Sequence, residues 1–181
     1  MTEQKLIEEC LRGNYRAQKK LYNKFSGLMM GVSMRYASCV PEAEDILQDA
    51  FIKVFSKLDT YKATGPLGGW IRRVVVNTAL QRIRDQKNYR MHVEIGDSDA
   101  VTEVSDDVLA AMGAEEIMRK IQKLPPGFRT VFNLYAIEGY NHPEIAKELG
   151  ISVGTSKSQY SRARAILRTM IEQEELSEKA I

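Results

Sequence analysis

The chain has 181 residues, enough for one ordinary domain or two small ones with real hydrophobic cores. Its 44% hydrophobic and 28% charged residues describe a soluble globular protein, and a net charge of +2 conceals strong alternation along the chain. No apolar run approaches membrane-span length, the start MTEQKLIEEC lacks the layout of a signal peptide, and two cysteines with two scattered histidines leave no spacing for structural zinc. The expected location is cytoplasmic, without membrane insertion, and with Cys10 and Cys39 reduced.

Residues 2–38 read as two helices. Thr2 can cap the first, whose apolar positions Leu6, Ile7, Cys10 and Leu11 keep helical spacing until Gly13 stops it. Asn14 can cap the second, with Ala17, Leu21, Phe25, Leu28 and Val32 along one core-facing side. Pro41 then opens a third helix from a position that suits proline. Ile46, Leu47, Ala50, Phe51, Val54, Phe55 and Leu58 form its apolar face, and Glu42, Asp45, Gln48, Asp49 and Lys53 the opposite one, with Ile52 among them. Acids near a helix N-terminus are favourable through the dipole, so ordinary capping chemistry is one reading of that face. An isoleucine exposed inside an acidic patch supports the other, a protein-docking surface.

The stretch DTYKATGPLGG, Asp59 to Gly69, is expected to be non-helical because of its Gly-Pro and Gly-Gly pairs. It is either a plain connector or the wall of a pocket for an unstacked base. It delivers the chain into Trp70 to Lys87, WIRRVVVNTALQRIRDQK. At about 100° per residue, a helix here puts Arg73, Asn77, Gln81 and Arg84 on one narrow polar arc. A strand from Ile71 to Val76 is conceivable, but Arg72-Arg73 interrupts the apolar run and the polar arc continues to Arg84, so helix is preferred. Six Lys or Arg against one acid lie between Trp70 and Arg90. Such a ridge is either a solvated face or a DNA contact, in which arginines hold phosphates and the amide meets a base edge.

From Val93 to Glu116 there are eight acids and no Lys or Arg, and the part up to about Asp107 reads as a solvated linker between two domains. Beyond it, Ile117, Ile121 and Leu124 belong to one helix ended by Pro125-Pro126, and Phe128, Val131, Phe132 and Tyr135 to another closed by Gly139. Asn141 and Glu144 have capping-box spacing, Gly150 ends that short helix, and Ser152 caps the next. Two helices joined by a tight Gly-containing turn make a helix-turn-helix. In its second helix Val153, Tyr160, Ala163, Leu167 and Met170 point one way, and Thr155, Ser158, Ser161 and Arg162 the other, flanked by Lys157 and Arg164. Four bases and no acid between Thr155 and Arg168 suit a recognition helix in a major groove; an αα-hairpin is the alternative.

At this point the sequence resembles the extracytoplasmic-function sigma factors, two-domain initiation factors of bacterial RNA polymerase within the sigma-70 family. The resemblance rests on EAEDILQDAFIKVFSKL, WIRRVVVNTALQRIRDQK and LPPGFRTVFNLYAIEGYNHPEIAKELGISVGTSKSQYSRARAIL, in that order and with an acidic linker between. It implies an all-α fold of two small helical domains: residues 1–93 for core-polymerase binding and −10 recognition and melting, a flexible linker 94–111, and residues 112–181 with the helix-turn-helix for the −35 element. It implies polymerase contacts by Glu42, Asp45, Gln48, Asp49 and Ile52, on the clamp coiled coil of the largest subunit, with the flap as a further contact. The −10 contacts fall on Trp70, Arg73, Asn77, Gln81 and Arg84, with Asn77 helping to hold a flipped-out base. The −35 contacts fall on Thr155, Lys157, Ser158, Ser161 and Arg162. Promoter DNA and an anti-sigma factor are the other implied partners. No catalytic residue, metal or cofactor is implied, and the sequence shows neither a phosphate-cradling loop nor a nucleophile-base pair.

Three positions depart from the family pattern. Pro41 stands where an acid is common, Gln159 replaces a frequent arginine, and Ser156 faces the core where valine is usual. Ser156 is expected to bond back to the preceding turn to offset its lost burial. A free-standing helix-turn-helix regulator is the alternative function, and it leaves the acidic helix and Asn77 unexplained. A recombinase or nuclease would need a nucleophile or clustered metal carboxylates beside a basic surface.

Overall fold

The computed structural model describes residues 2–90 and 114–178, with side chains over 2–86 and 116–174. The expected linker, 94–111, lies outside the described residues. The chain divides into two compact units, Met1–Lys87 and Asn88–Ile181, and all regular structure among the described residues is helical.

In the first unit, α1 (Glu3–Leu11) and α2 (Tyr15–Tyr36) start at the expected caps. The Thr2 hydroxyl accepts from Lys5 N–H, and the Asn14 side chain accepts from Arg16 and Ala17 N–H. The buried side of α2 runs Ala17, Leu21, Phe25, Met29, Val32 and Tyr36. Leu28 does not belong to it: it is 68% exposed, because the stripe steps by four from Phe25 to Met29. Leu11 is likewise exposed, at the very end of α1, whereas Leu6 and Cys10 are buried.

Helix α3 (Val40–Ser56) has Pro41 in its first turn and buries Ala43, Ile46, Leu47, Ala50, Phe51 and Val54. A 3₁₀ turn, Leu58–Thr60, follows, with Leu58 in the core. Helix α4 spans Leu67–Arg90, so it starts three residues before Trp70 and the Gly-Gly pair is helical, contrary to expectation. Pro66 supplies the carbonyl for Gly69 and Trp70 N–H, and Leu67 is fully buried as the anchor of the first turn. Gly68 signals close packing: a Cβ there would lie 3.1 Å from Phe25 Cε1. Ile71, Val75, Val76, Ala79 and Leu80 then bury one side of α4.

In the second unit, α5 (Ala114–Lys123), α6 (Pro126–Phe132), α7 (His142–Leu149) and α8 (Val153–Glu178) surround Ile121, Leu124, Phe132, Ala163 and Leu167. The helix after Pro126 widens to a π turn, Asn133–Ile137, instead of continuing as an α-helix to Gly139. Tyr135 consequently lies at the surface, stacked on His142 (4.4 Å, 17°) and beside Tyr160. Asn141 and Glu144 complete the capping box, Gly150 adopts φ 63, and Ser152 Oγ accepts from Thr155 N–H at 2.9 Å. The cap, tight turn and cap of a helix-turn-helix are all present.

A buried lysine ties the end of α8 to α5. Lys120 Nζ is bonded to Glu174 and lies 3.8 Å from Glu116, so an acid of the C-terminal stretch neutralises a cation that would otherwise be stranded in the core. That hydrogen bond and the charge of Lys120 hold the Glu174 carboxyl below its usual range.

Candidate nucleic-acid interface

Helix α4 presents the predicted arc to solvent. Arg73, Asn77 and Gln81 are exposed, Arg84 is half-buried, and the amide of Gln81 links the row by accepting from Arg84 (2.9 Å) and donating to Asp85 (2.8 Å). Asn77 has no hydrogen-bond partner among the described residues, so its donor and acceptor face water. Nothing described in the helix bundle uses this amide.

At the N-terminal end of the arc, the loop before α4 encloses a cleft of about 510 Å³ lined by Thr60, Tyr61, Lys62, Trp70 and Arg73 among others. The Tyr61 and Trp70 rings lie 5.7 Å apart, and Tyr61 Oη donates to the Gly65 carbonyl, which holds the loop in its turn. Ala63 at the loop tip sits in the left-handed region (φ 53), a strained backbone of a kind that gathers at working sites. An aromatic-walled cleft with a lysine and an arginine at its rim suits a planar base on a phosphate strand. Asn77 is not among the lining residues; it stands one turn beyond Arg73.

The acidic face of α3 is less free than the sequence suggests. Arg82 of α4 donates twice to Asp49 Oδ2 (2.8 and 3.1 Å) and reaches Asp45 at 3.4 Å. Gln86 donates to Glu42 at 3.2 Å, while the other Glu42 oxygen accepts from Ser38 N–H at 2.6 Å. At about 100° per residue Arg82 lies roughly 140° around α4 from the centre of the polar arc, so one helix offers an arc to solvent and clasps α3 with its other side. Gln48 and Ile52 remain exposed, Ile52 at 67%. The Arg82 tie is a structural feature of the α3 face that sequence reasoning missed. Its only trace was a basic residue outside the polar arc.

In the second unit, Lys157 is exposed, and Thr155, Ser158, Ser161 and Arg162 are half-buried on α8. Two of the hydroxyls are occupied locally: Thr155 Oγ1 is 2.8 Å from Ser152 Oγ, and Ser158 Oγ donates to the Thr155 carbonyl. Ser156 is fully buried but does not bond back to its own helix. Its hydroxyl meets Nδ1 of His142 at 3.0 Å, so the polar group left in place of an apolar side chain is satisfied across the helix-turn-helix. Burial, and then the charge of Lys157, push the His142 pKa below its ordinary value. Gln159 instead lies beside Gly127 at the start of α6.

A helical unit with an exposed, Asn-bearing basic arc, followed by a helix-turn-helix unit, fits a two-part DNA-binding protein. The sigma-70 region 2 family model matches residues 21–89, and the sigma-70 region 4 model matches residues 114–167. The chain is 29% identical to the ECF RNA polymerase sigma factor SigW of Bacillus subtilis (strain 168), covering 94% of this chain and 97% of that one. It is 28% identical to the RNA polymerase sigma-H factor of Pseudomonas aeruginosa, covering 90% of each. The solved sigma factor RpoE of Bartonella quintana shares the fold, with a TM-score of 0.50 at 19% identity over 85% of this chain and 96% of that one. The chain belongs to the sigma-70 family, in its extracytoplasmic-function group. Sigma factors are non-enzymatic initiation factors, and no described helix is long and apolar enough to cross a membrane.

Proposed function

We propose that this chain binds core RNA polymerase in the cytoplasm and directs it to promoters by contacting two DNA elements. The first unit docks through the α3 face, with Ile52 as the apolar anchor among Glu42, Asp45, Gln48 and Asp49, on the clamp coiled coil of the largest subunit. Arg73 and Arg84 attract the backbone at the −10 element, Asn77 and Gln81 meet base edges, and the Tyr61–Trp70 cleft receives an unstacked base. Thr155, Lys157, Ser158, Ser161 and Arg162 of α8 enter the major groove of the −35 element. The described units correspond to the two functional domains, joined across 94–111. An anti-sigma factor is a further partner, since the Bartonella RpoE is bound by one, NepR.

No covalent step belongs to the chain itself. Unstacking costs a few kcal/mol, and contacts in the cleft and along the arc offset it.

The observation that carries this reading is the solvent-facing Asn77 amide on a basic arc, in the same unit as an exposed Ile52 on an acidic helix. A free-standing regulator has no use for either. Co-purification with core polymerase, followed by transcription from a pool of promoter variants, tests it. The expected result is a stoichiometric complex initiating at a subset of promoters. DNA binding by the free chain with no polymerase association would favour the regulator instead.

A further inference from the structure

Helix α2 carries a charge pattern that neither the polymerase face nor the polar arc uses. From Cys10 to Pro41 the chain has no Asp or Glu but six bases: Arg12, Arg16, Lys19, Lys20, Lys24 and Arg35. Arg35 is buried, Arg12 pairs with Glu9 and Lys24 with Glu3. Arg16, Lys19 and Lys20 are exposed and form no ion pair among the described residues. Beyond them the outward face continues through Asn23, Gly27 and Gly31, and the space outside both glycines is open.

An ordinary solvated face does not account for this arrangement. Arg16–Lys20 and Lys20–Lys24 are like-charge pairs at i,i+4, and Arg16–Lys19 at i,i+3, each of which weakens a helix. Arg16 also sits in the first turn, where the helix dipole disfavours a cation. A face selected for helix stability alone would mix signs and begin with acids. The first turns of α2 accept an electrostatic cost instead, which an anionic partner would reverse.

The position of the face indicates which anion. Lys24 Nζ lies 5.0 Å from the centroid of Phe25, and that ring packs on Gly68 in the first turn of α4. Gly69, the next residue, lines the Tyr61–Trp70 cleft. The Lys24 end of the basic row thus stands over the ring that packs on the first turn of α4, the turn that also lines the cleft. Lysines act on phosphates as point charges without reading bases, and a row of them on a smooth helix suits a passing sugar-phosphate backbone.

We propose that the Arg16–Lys19–Lys20 face of α2 is a second, sequence-independent DNA contact, which holds the backbone phosphates of the strand whose base enters the Tyr61–Trp70 cleft. The inference rests on the promoter-binding reading above and adds a path along which the strand continues past the cleft.

The test uses polymerase holoenzyme carrying Arg16→Gln, Lys19→Gln and Lys20→Gln together, on a forked DNA fragment that contains the −10 region and lacks the −35 element. All three positions are exposed, so the fold should stand, and a matched melting temperature checks this. Each cation removed from a phosphate should reduce the slope of log K against log salt by about 0.7–0.9, so the triple variant's slope should be shallower by about 2–3. A fourfold dilution of salt should then strengthen wild-type binding about 16- to 64-fold more than variant binding. The ranking of −10 sequences and the affinity for core polymerase without DNA should not change. An unchanged salt slope would overturn the proposal and leave a solvated face. Weakened polymerase binding with an unchanged slope would assign the face to an acidic protein surface, also against it. Wild-type holoenzyme that fails to bind the fork would overturn the promoter-binding reading itself, and this DNA-binding face with it.

Discussion

Replacing Arg82 by Ala removes the ionic tie between α3 and α4 and measures what it contributes. The guanidinium is about one-third exposed (31%) and gives Asp49 two N–H groups at 2.8 and 3.1 Å, with a looser contact to Asp45 at 3.4 Å. Exposed ion pairs contribute about 0.2–1 kcal/mol, and hydrogen bonds to charged groups about 1.5–3. Asp49 is nearly half in water, so solvent screening places the tie near the junction of those ranges, about 1–2 kcal/mol. At about 4–8 °C per kcal/mol for a domain of this size, the first unit should melt about 4–16 °C lower. Trp70 is the chain's single tryptophan and lies in this unit, so its fluorescence follows the transition in the full-length protein. In a double-mutant cycle with Asp49→Ala, a coupling of about 1 kcal/mol is expected, since both changes remove the same interaction. An Arg82→Ala protein that melts with the wild type, with effects additive to Asp49→Ala, would show the carboxylates to be free. The tie also means that charge reversal at Asp45 and Asp49 disturbs folding as well as docking. Ile52→Lys, on a side chain 67% exposed, is the cleaner probe of the α3 face.

The second unit should lose stability as pH falls through 6.5. His142 titrates near that value when unfolded and lower when folded, so between the two the unfolded chain binds more protons; below the folded value the loss is complete. Hydrogen exchange of α7 and α8 amides between pH 7.5 and 5.5 should show this in wild type and less in His142→Gln, and equal pH slopes would contradict it. Glu174→Gln should lower the melting temperature of the same unit by stranding Lys120, whereas Lys120→Met should be neutral or stabilising; an unaffected Glu174→Gln protein would detach the α8 end from the fold. On a panel of −35 variants, Arg162→Ala should cost roughly 1–3 kcal/mol and relax preference at one base position, while Lys157→Ala should weaken every sequence alike. Equal effects across the panel for Arg162→Ala would make it a phosphate contact.

Much of this organisation was legible because it depends on local rules. Helical spacing and short-range caps gave both N-terminal helices, the α7 capping box and the Gly150 turn, each set by residues within four of one another. The exposed arc of α4 followed from its 100° periodicity alone. Tertiary context decided what was misread. Gly68 and Gly69 read as loop, but Gly68 is a helical residue kept small by Phe25, which is 43 positions earlier and invisible to a local pattern. Leu28 reads as core, three residues after Phe25 and four before Val32, yet Met29 takes that place. The partner of Ser156 lies 14 residues away on another helix, and those of Arg82 33 and 37 away, so no spacing rule reaches them. Charge alone left α3 looking fully available.

The most direct test of the account is Asn77→Ala in holoenzyme, read by permanganate reactivity of the −10 thymines alongside Trp70 melting. Asn77 is exposed and bonded to nothing described, so replacing it should leave folding and polymerase binding within experimental error. Open-complex stability should fall by roughly 1–3 kcal/mol, about five- to 150-fold, as when a bidentate bond to a base is removed. The deficit should shrink on promoters whose −10 bases are already mismatched. A lowered melting temperature with equal defects on every promoter would contradict the account and make Asn77 a structural amide.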